Sequence, residues 1–246
     1  MLAGKLAACF AESRLGCFLW VTDAILREFS EGAEFVSRAT SNAIYVFFEQ
    51  QATSMLRALS DLSANELPDG KTSSESPVYP ANPRCLPTVI EDFFRLLTDA
   101  LLYYPFRLIP SDLFAPIFSA SLSTLTLEQA APLTATLHYL RDALEYGGKN
   151  PPTSQFDAAE KDVEEIRRIV QKVMLSQGEE LVQRILTGMM FSFPKDCFPD
   201  ASGVLLALVE MMQENVTPWI ANTLSKLPAS TVSQLEAQRL LTQMSE

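Results

Sequence analysis

Side chains able to do chemistry are few in this chain and poorly grouped. His138 is the single histidine, so a Ser-His-Asp triad, a Cys-His dyad or a zinc site would each have to be built on it. It stands at the edge of an apolar helical face with Asp142 one turn on, the setting of a partly solvated helix histidine. No Glu-x-x-His pair exists, which argues against a di-iron bundle. The acidic stretch is Asp157, Glu160, Asp162, Glu164 and Glu165. Paired acids can do acid–base work or hold magnesium. Here Lys161, Arg167, Arg168 and Lys172 are interleaved, and Glu164 stands four residues before Arg168, so a solvated, ion-paired helix face is the better reading.

The four cysteines, Cys9, Cys17, Cys85 and Cys197, form no C-x-x-C pair, which leaves zinc knuckles and thioredoxin-type chemistry without support. Cys9 and Cys17 read as buried thiols in apolar helical surroundings, and a reducing compartment fits. Gly147-Gly148 reads as a helix stop, not a phosphate cradle. Trp20, Trp219 and the phenylalanines at helical spacing read as core. The expectation is a protein without catalytic residues, metal or cofactor.

The 246 residues carry 48% hydrophobic and 20% charged side chains, a globular composition, with a formal net charge of −11. That charge disfavours nucleic acid and anionic membrane and favours basic partners; plain solubility is the competing use of it. Basic residues are too few and too mixed with acids for a nucleic-acid stripe. No apolar run reaches the roughly 18 residues of a membrane helix. Leu6-Ala7-Ala8-Cys9 matches a lipoprotein cleavage box only superficially, since Lys5 precedes it directly. Without a targeting signal, the expected location is the nucleus, the cytoplasm or both.

Apolar residues recur at three- and four-residue spacing along the whole chain, which predicts stacked helices. One helix carries Leu15, Phe18, Leu19, Thr22, Ile25, Leu26 and Phe29; a second runs from about Ala33 to Leu59. Asp61 to Arg84 is rich in Pro, Ser, Asn and Gly and predicts a flexible loop. The third helix starts at Pro87 and is stopped by Pro105. A shorter helix spans about Ser111 to Leu122 with a kink at Pro116. Thr126-Leu127-Glu128-Gln129 has the form of a capping box opening the next helix. A long helix runs from about Asp157 to Phe191, even though Gly178 costs about 1 kcal/mol relative to alanine. Asp200 caps a helix, Thr217-Pro218 opens another, and Ser230 or Thr231 opens the last. About nine helices with short turns suit HEAT-type pairs, while an irregular bundle also fits the spacing.

Several phrases occur in a telling order: Ile90-Glu91-Asp92-Phe93-Phe94-Arg95-Leu96, then Ser123-Thr124-Leu125-Thr126-Leu127, then Tyr139-Leu140-Arg141-Asp142. Phe191-Ser192-Phe193-Pro194, Phe198-Pro199-Asp200 and finally Trp219, Asn222, Leu224 and Leu227-Pro228 follow. Together they resemble the C-terminal part of the transportin-SR (transportin-3-like) branch of the karyopherin-β (importin-β superfamily) nuclear transport receptors. The resemblance is good from about Leu86 to Pro228 and weaker before it.

It implies an all-α HEAT-repeat solenoid, a right-handed superhelical stack of antiparallel helix pairs forming a single array over residues 1–246. It further implies protein cargo, Arg/Ser-rich or otherwise basic, with Ran GTPase and nucleoporins as partners of the full-length receptor. Family members are much longer, so the chain is expected to be a fragment or a truncated gene model. The Ran-binding repeats and an arginine-rich cargo-reading helix would precede Met1, and Ran binding by the chain alone is not expected.

In a HEAT stack the second helix of each pair lines the concave side. The helix at 157–191 is the candidate lining, and Glu160, Glu164, Glu165, Glu179 and Glu180 are the candidate cargo contacts. A helical scaffold unrelated to transport and a metal-dependent helical enzyme are the alternatives. Limited proteolysis should cut first between Asp61 and Arg84, where few residues can anchor the backbone; a first cut inside Glu160 to Phe191 would contradict the long helix.

Overall fold

The computed structural model describes residues 2–29, 36–64, 87–153, 156, 158–227 and 239. Among them the regular structure is wholly helical, without a strand, which is consistent with a HEAT-repeat helical solenoid. The helices are α1 (Leu2–Ser13), α2 (Gly16–Glu28), α3 (Arg38–Ala64), α4 (Pro87–Tyr103), α5 (Pro105–Leu108), α6 (Phe114–Thr124), α7 (Ala130–Glu145), α8 (Glu160–Phe191) and α9 (Phe198–Lys226). A 3-10 turn at Lys195–Cys197 precedes α9. Two compact units divide within α7, after Tyr139.

In the first unit the amphipathic spacing is converted into a layered core. α4 buries Ile90, Phe93, Phe94, Leu96, Leu97, Ala100 and Leu101 on one broad face, and α2 offers Leu19, Thr22 and Leu26. α2 and α4 lie side by side and run the same way, since Gly16 meets Asp92 and Arg27 meets Asp99. Corresponding helices of successive pairs in a stacked array share direction in this manner. Aromatic rings fill the centre: Phe94 sits 5.6 Å from Tyr139, and Tyr45 sits 5.5 Å from Tyr104, both pairs tilted. Such pairs add about 0.5–1.5 kcal/mol beyond area burial.

The seam between α2 and α4 also handles the start of α2. Its N-cap position is Leu15, which has no capping side chain. Instead the Asp92 carboxylate of α4 lies directly against Gly16, where any β-carbon would collide with it. A negative charge at a helix N-terminus is favourable. The preceding turn passes through Arg14 at φ 54, a left-handed conformation held by the Arg14 guanidinium on Ser54 of α3, whose Oγ is 2.8 Å away.

The second unit is built on the α8–α9 hairpin. α8 is one continuous 32-residue helix. Gly178 does not break it because the glycine serves a contact: a β-carbon there would lie 2.5 Å from Trp219 Cζ3 and 2.7 Å from Cη2. Gly188 plays the same part under the ring of Phe193. α9 is interrupted at Met212, whose angles (φ −152, ψ 56) are not helical.

Several boundaries differ from those the sequence predicts, each for a local reason. The second long helix starts at Arg38, not near Ala33, because the Ser37 hydroxyl accepts the Thr40 N–H at 3.1 Å and caps it; positions 33–35 lie outside the described residues. Asp61 to Ala64 continue α3, and the remainder of the 61–84 loop lies outside the described residues. Pro116 occupies the first turn of α6, where its missing N–H removes no intrahelical bond. The Thr126 capping box does not form: its hydroxyl donates back to the Ser123 carbonyl at 3.0 Å, and α7 begins at Ala130.

Asp200 is inside the first turn of α9, whose N-cap is Cys197. The break assigned to Thr217-Pro218 falls at Met212, and the Thr217 hydroxyl bonds the Gln213 carbonyl within the helix. The final helix from Ser230 lies outside the described residues, Arg239 excepted. Cys9 and Cys17 are exposed, not buried, because they fall off the stripes that carry Phe10 and Leu19. Trp20 is 63% exposed, not core, for the same reason.

Gly178→Ala should destabilise the chain by about 1–3 kcal/mol through overpacking against Trp219, although alanine is the better helix former. Pairing it with Trp219→Leu should recover most of that loss in urea unfolding. A Gly178→Ala chain as stable as the parent would show that the contact is not tight.

Candidate partner-binding surface

Glu160, Glu164, Glu165, Glu179 and Glu180 are all exposed on α8. They do not form one patch. With Ile166, Val170 and Val173 marking the buried side, Glu164 and Glu165 fall on opposite flanks of the solvent arc, as do Glu179 and Glu180 relative to Leu181 and Ile185. Three have partners: Glu164 pairs with Arg167, Glu180 with Arg184 at 2.7 Å, and Glu179 accepts from the Asn222 amide of α9. The helix carries six acids and five bases, so its surface is a mosaic of mixed charge. Glu160 and Asp162 lie in the first turn, where the helix dipole favours them.

The partner of Glu164 is Arg167 rather than the expected Arg168. Arg167 is fixed by a further task. Its Nε donates to the Gly148 carbonyl at 2.9 Å and its Nη2 to the Lys149 carbonyl at 3.2 Å, while Gln171 Nε2 donates to the Gly147 carbonyl at 3.0 Å. These carbonyls follow the end of α7, where helix termini leave acceptors without intrahelical donors. Arg167 and Gln171 therefore tie α8 to the α7 turn. Sequence reading missed this role; the only signal was the Gly147-Gly148 stop facing a polar i, i+4 pair.

A second surface belongs to the first unit. An open groove of about 650 Å³ is lined by Trp20, Asp23 and Arg27 of α2, by Asp92, Arg95, Thr98 and Asp99 of α4, and by Ala130, Ala131, Thr134, Ala135 and His138 of α7. His138 is half-buried there, in keeping with a partly solvated helix histidine. Arg27 contacts Asp23 at 3.0 Å and Asp99 at 3.4 Å, and Arg95 pairs with Glu91 at 2.6 Å. Burial pushes the Asp23 carboxyl up to about 7, with the adjacent Asp99 adding to the rise and Arg27 opposing it. Asp92 is also raised, by burial first and then by Glu91.

Such geometry offers charge pairs, an exposed indole and polar helix faces. Among the described residues no three His, Cys, Asp or Glu side chains converge to hold a metal ion. No described helix is long and apolar enough to cross a membrane.

No protein-family model matches the chain. It is 30% identical to an uncharacterized protein of Schizosaccharomyces pombe over 241 residues, covering 96% of this chain and 23% of that protein. It is 20% identical over 202 residues to the mRNA transport regulator MTR10 of Saccharomyces cerevisiae, covering 81% of this chain and 19% of the relative. With Transportin MOS14 of Arabidopsis thaliana it shares 22% identity over 162 residues, 65% of this chain and 16% of the relative. The chain thus spans less than a quarter of the length of each of these relatives. The names of the second and third, with the helical structure of the described residues, suggest a transport-receptor-like helical segment.

Arg167→Ala should leave the Gly148 and Lys149 carbonyls short of a donor and destabilise the chain by about 1.5–3 kcal/mol, the range for bonds to a charged group. Chemical denaturation of Arg167→Ala beside Arg168→Ala checks this: the second, on the solvent side, should lie within about 0.5 kcal/mol of the parent. Equal effects of the two would remove the anchoring role.

Proposed function

We propose that this chain is a non-catalytic, cargo-binding segment of a nuclear transport receptor of the importin-β type, in the transportin-SR branch. It works between nucleus and cytoplasm, with residues 1–246 acting as one HEAT-repeat array. The observation that carries the reading is the similarity, across most of the chain, to proteins named as a transport regulator and a transportin. The ordered phrases from Ile90 to Pro228 and the helical architecture support it. Ran GTPase and nucleoporins are then partners of the whole receptor.

Cargo contact is assigned to α8, through Glu160, Glu164, Glu165, Glu179 and Glu180. Their exposure supports this assignment. The cargo is a protein with basic segments, attracted by a chain of net charge −11. Because the α8 charges are mixed and solvated, each contact is weak and salt-screened.

The test is binding of an Arg/Ser-repeat peptide to the chain, followed by fluorescence anisotropy at low and physiological salt. Glu164, Glu165, Glu179 and Glu180 reversed together to lysine should weaken binding by about tenfold at low salt and flatten its salt dependence. Circular dichroism confirms that the variant is folded. Unchanged affinity in a folded variant would remove α8 as the cargo face, and no peptide binding by the parent chain would favour a scaffold unrelated to transport.

A further inference from the structure

Asp23 of α2 and Asp99 of α4 meet across the seam of two neighbouring helices in the first unit. Both carboxylates are drawn to one guanidinium: Arg27 Nη2 lies 3.0 Å from Asp23 Oδ2, and Arg27 Nε lies 3.4 Å from Asp99 Oδ2. The Asp23 side chain is only 13% exposed. Its Oδ1 is buried with no hydrogen-bond partner, and the Asp99 carboxyl across the seam adds to burial in favouring a proton on it. Ionised carboxylates only accept hydrogen bonds. Two carboxyl groups can hydrogen-bond to each other only when one carries a proton, and like charges gathered on a single guanidinium favour keeping that proton.

The other charged groups facing the pair do not replace that proton. Asp92 of α4 adds a further negative charge and is turned toward Gly16. Arg95 of α4 is engaged with Glu91. His138 of α7 lines the same groove, and neither α1 nor α3 contributes a titratable group to the lining. One guanidinium cannot neutralise two carboxylates.

We propose that Asp23 and Asp99 share one proton and form a pH-sensitive clasp that joins α2 to α4. The protonated pair closes the seam with a carboxyl–carboxylate hydrogen bond over Arg27. Loss of the proton leaves two negative charges around a single positive one and loosens the contact. The device stands apart from the cargo reading, because it depends on the first unit alone.

The direction follows from linkage. Asp23 is held up to about 7 in the closed seam, by burial first and then by Asp99, against an ordinary 3.8 in the open one. The closed form therefore binds the proton more tightly. Its stabilisation is complete below the ordinary value, is lost as the pH rises through about 7, and is constant beyond. Between pH 6 and pH 8 the ratio of closed to open seam should fall about tenfold.

Carbon-13 titration of the aspartate carboxyls in the full chain tests this directly and needs no variant. The expected result is one carboxyl with a midpoint near 7, assigned by its loss in Asp23→Asn. Amide protection factors in α2 and α4 should fall about tenfold from pH 6 to pH 8 in the parent chain and stay level in Asp23→Asn. His138→Gln should keep both behaviours, which separates the carboxyl pair from the imidazole. The proposal is overturned if Asp23 titrates below about 5 in the parent, if Asp23→Asn keeps the pH dependence, or if His138→Gln removes it.

Discussion

Close approach between helices is the constraint on which the rest of this structure depends. Each amphipathic helix presents an apolar stripe that it cannot cover itself. The stripe is buried only if a neighbour comes near enough, and the chain secures this with small residues at the points of contact. Gly178 admits Trp219, Gly188 admits Phe193, and Gly16 admits Asp92. A β-carbon at Gly178 would hold α8 and α9 apart, and the buried rows from Ile166 to Ile185 on α8 and from Val204 to Ile220 on α9 would lose packing.

Once the helices are that close, their polar groups are satisfied sideways. α2 starts without a cap of its own and has Asp92 of α4 in the place of one. The carbonyls after α7 are met by Arg167 and Gln171 of α8. Thr22 donates to Gln51 of α3 at 2.6 Å inside the core. Such lateral bonds fix the register of one helix on the next, which a continuous apolar stripe alone does not. They also place charged groups at seams, and the carboxyl pair of Asp23 and Asp99 arises there.

The fold class was legible because a helical period of 3.6 is written into Leu19, Thr22 and Leu26 and into Ile90, Phe93, Phe94, Leu97 and Leu101, and these residues are buried as that period requires. The continuity of α8 was legible for the same reason. Helix starts were less so. Thr126 and Asp200 have the right chemistry for caps, but the turns that hold them are shaped by longer-range packing, and Thr126 bonds backward to Ser123. The exposed carboxylates of α8 were legible as an ion-paired face, whereas the choice of Arg167 over Arg168 depended on carbonyls some eighteen residues earlier in the chain.

By itself the sequence determined that these residues form helices and which stripe of most helices is apolar, since both follow from the local spacing of side chains along one chain segment. Only the tertiary structure decided which neighbour covers each stripe. For that reason Trp20, Cys9 and Cys17, apolar by type, are left to solvent, while Trp219 finds Gly178. Only the tertiary structure, too, brings Asp23 and Asp99 together from positions 76 residues apart. The physical reason is that burial and charge coupling depend on distance in space, and a period of three or four residues carries no information about which distant segment will arrive beside it.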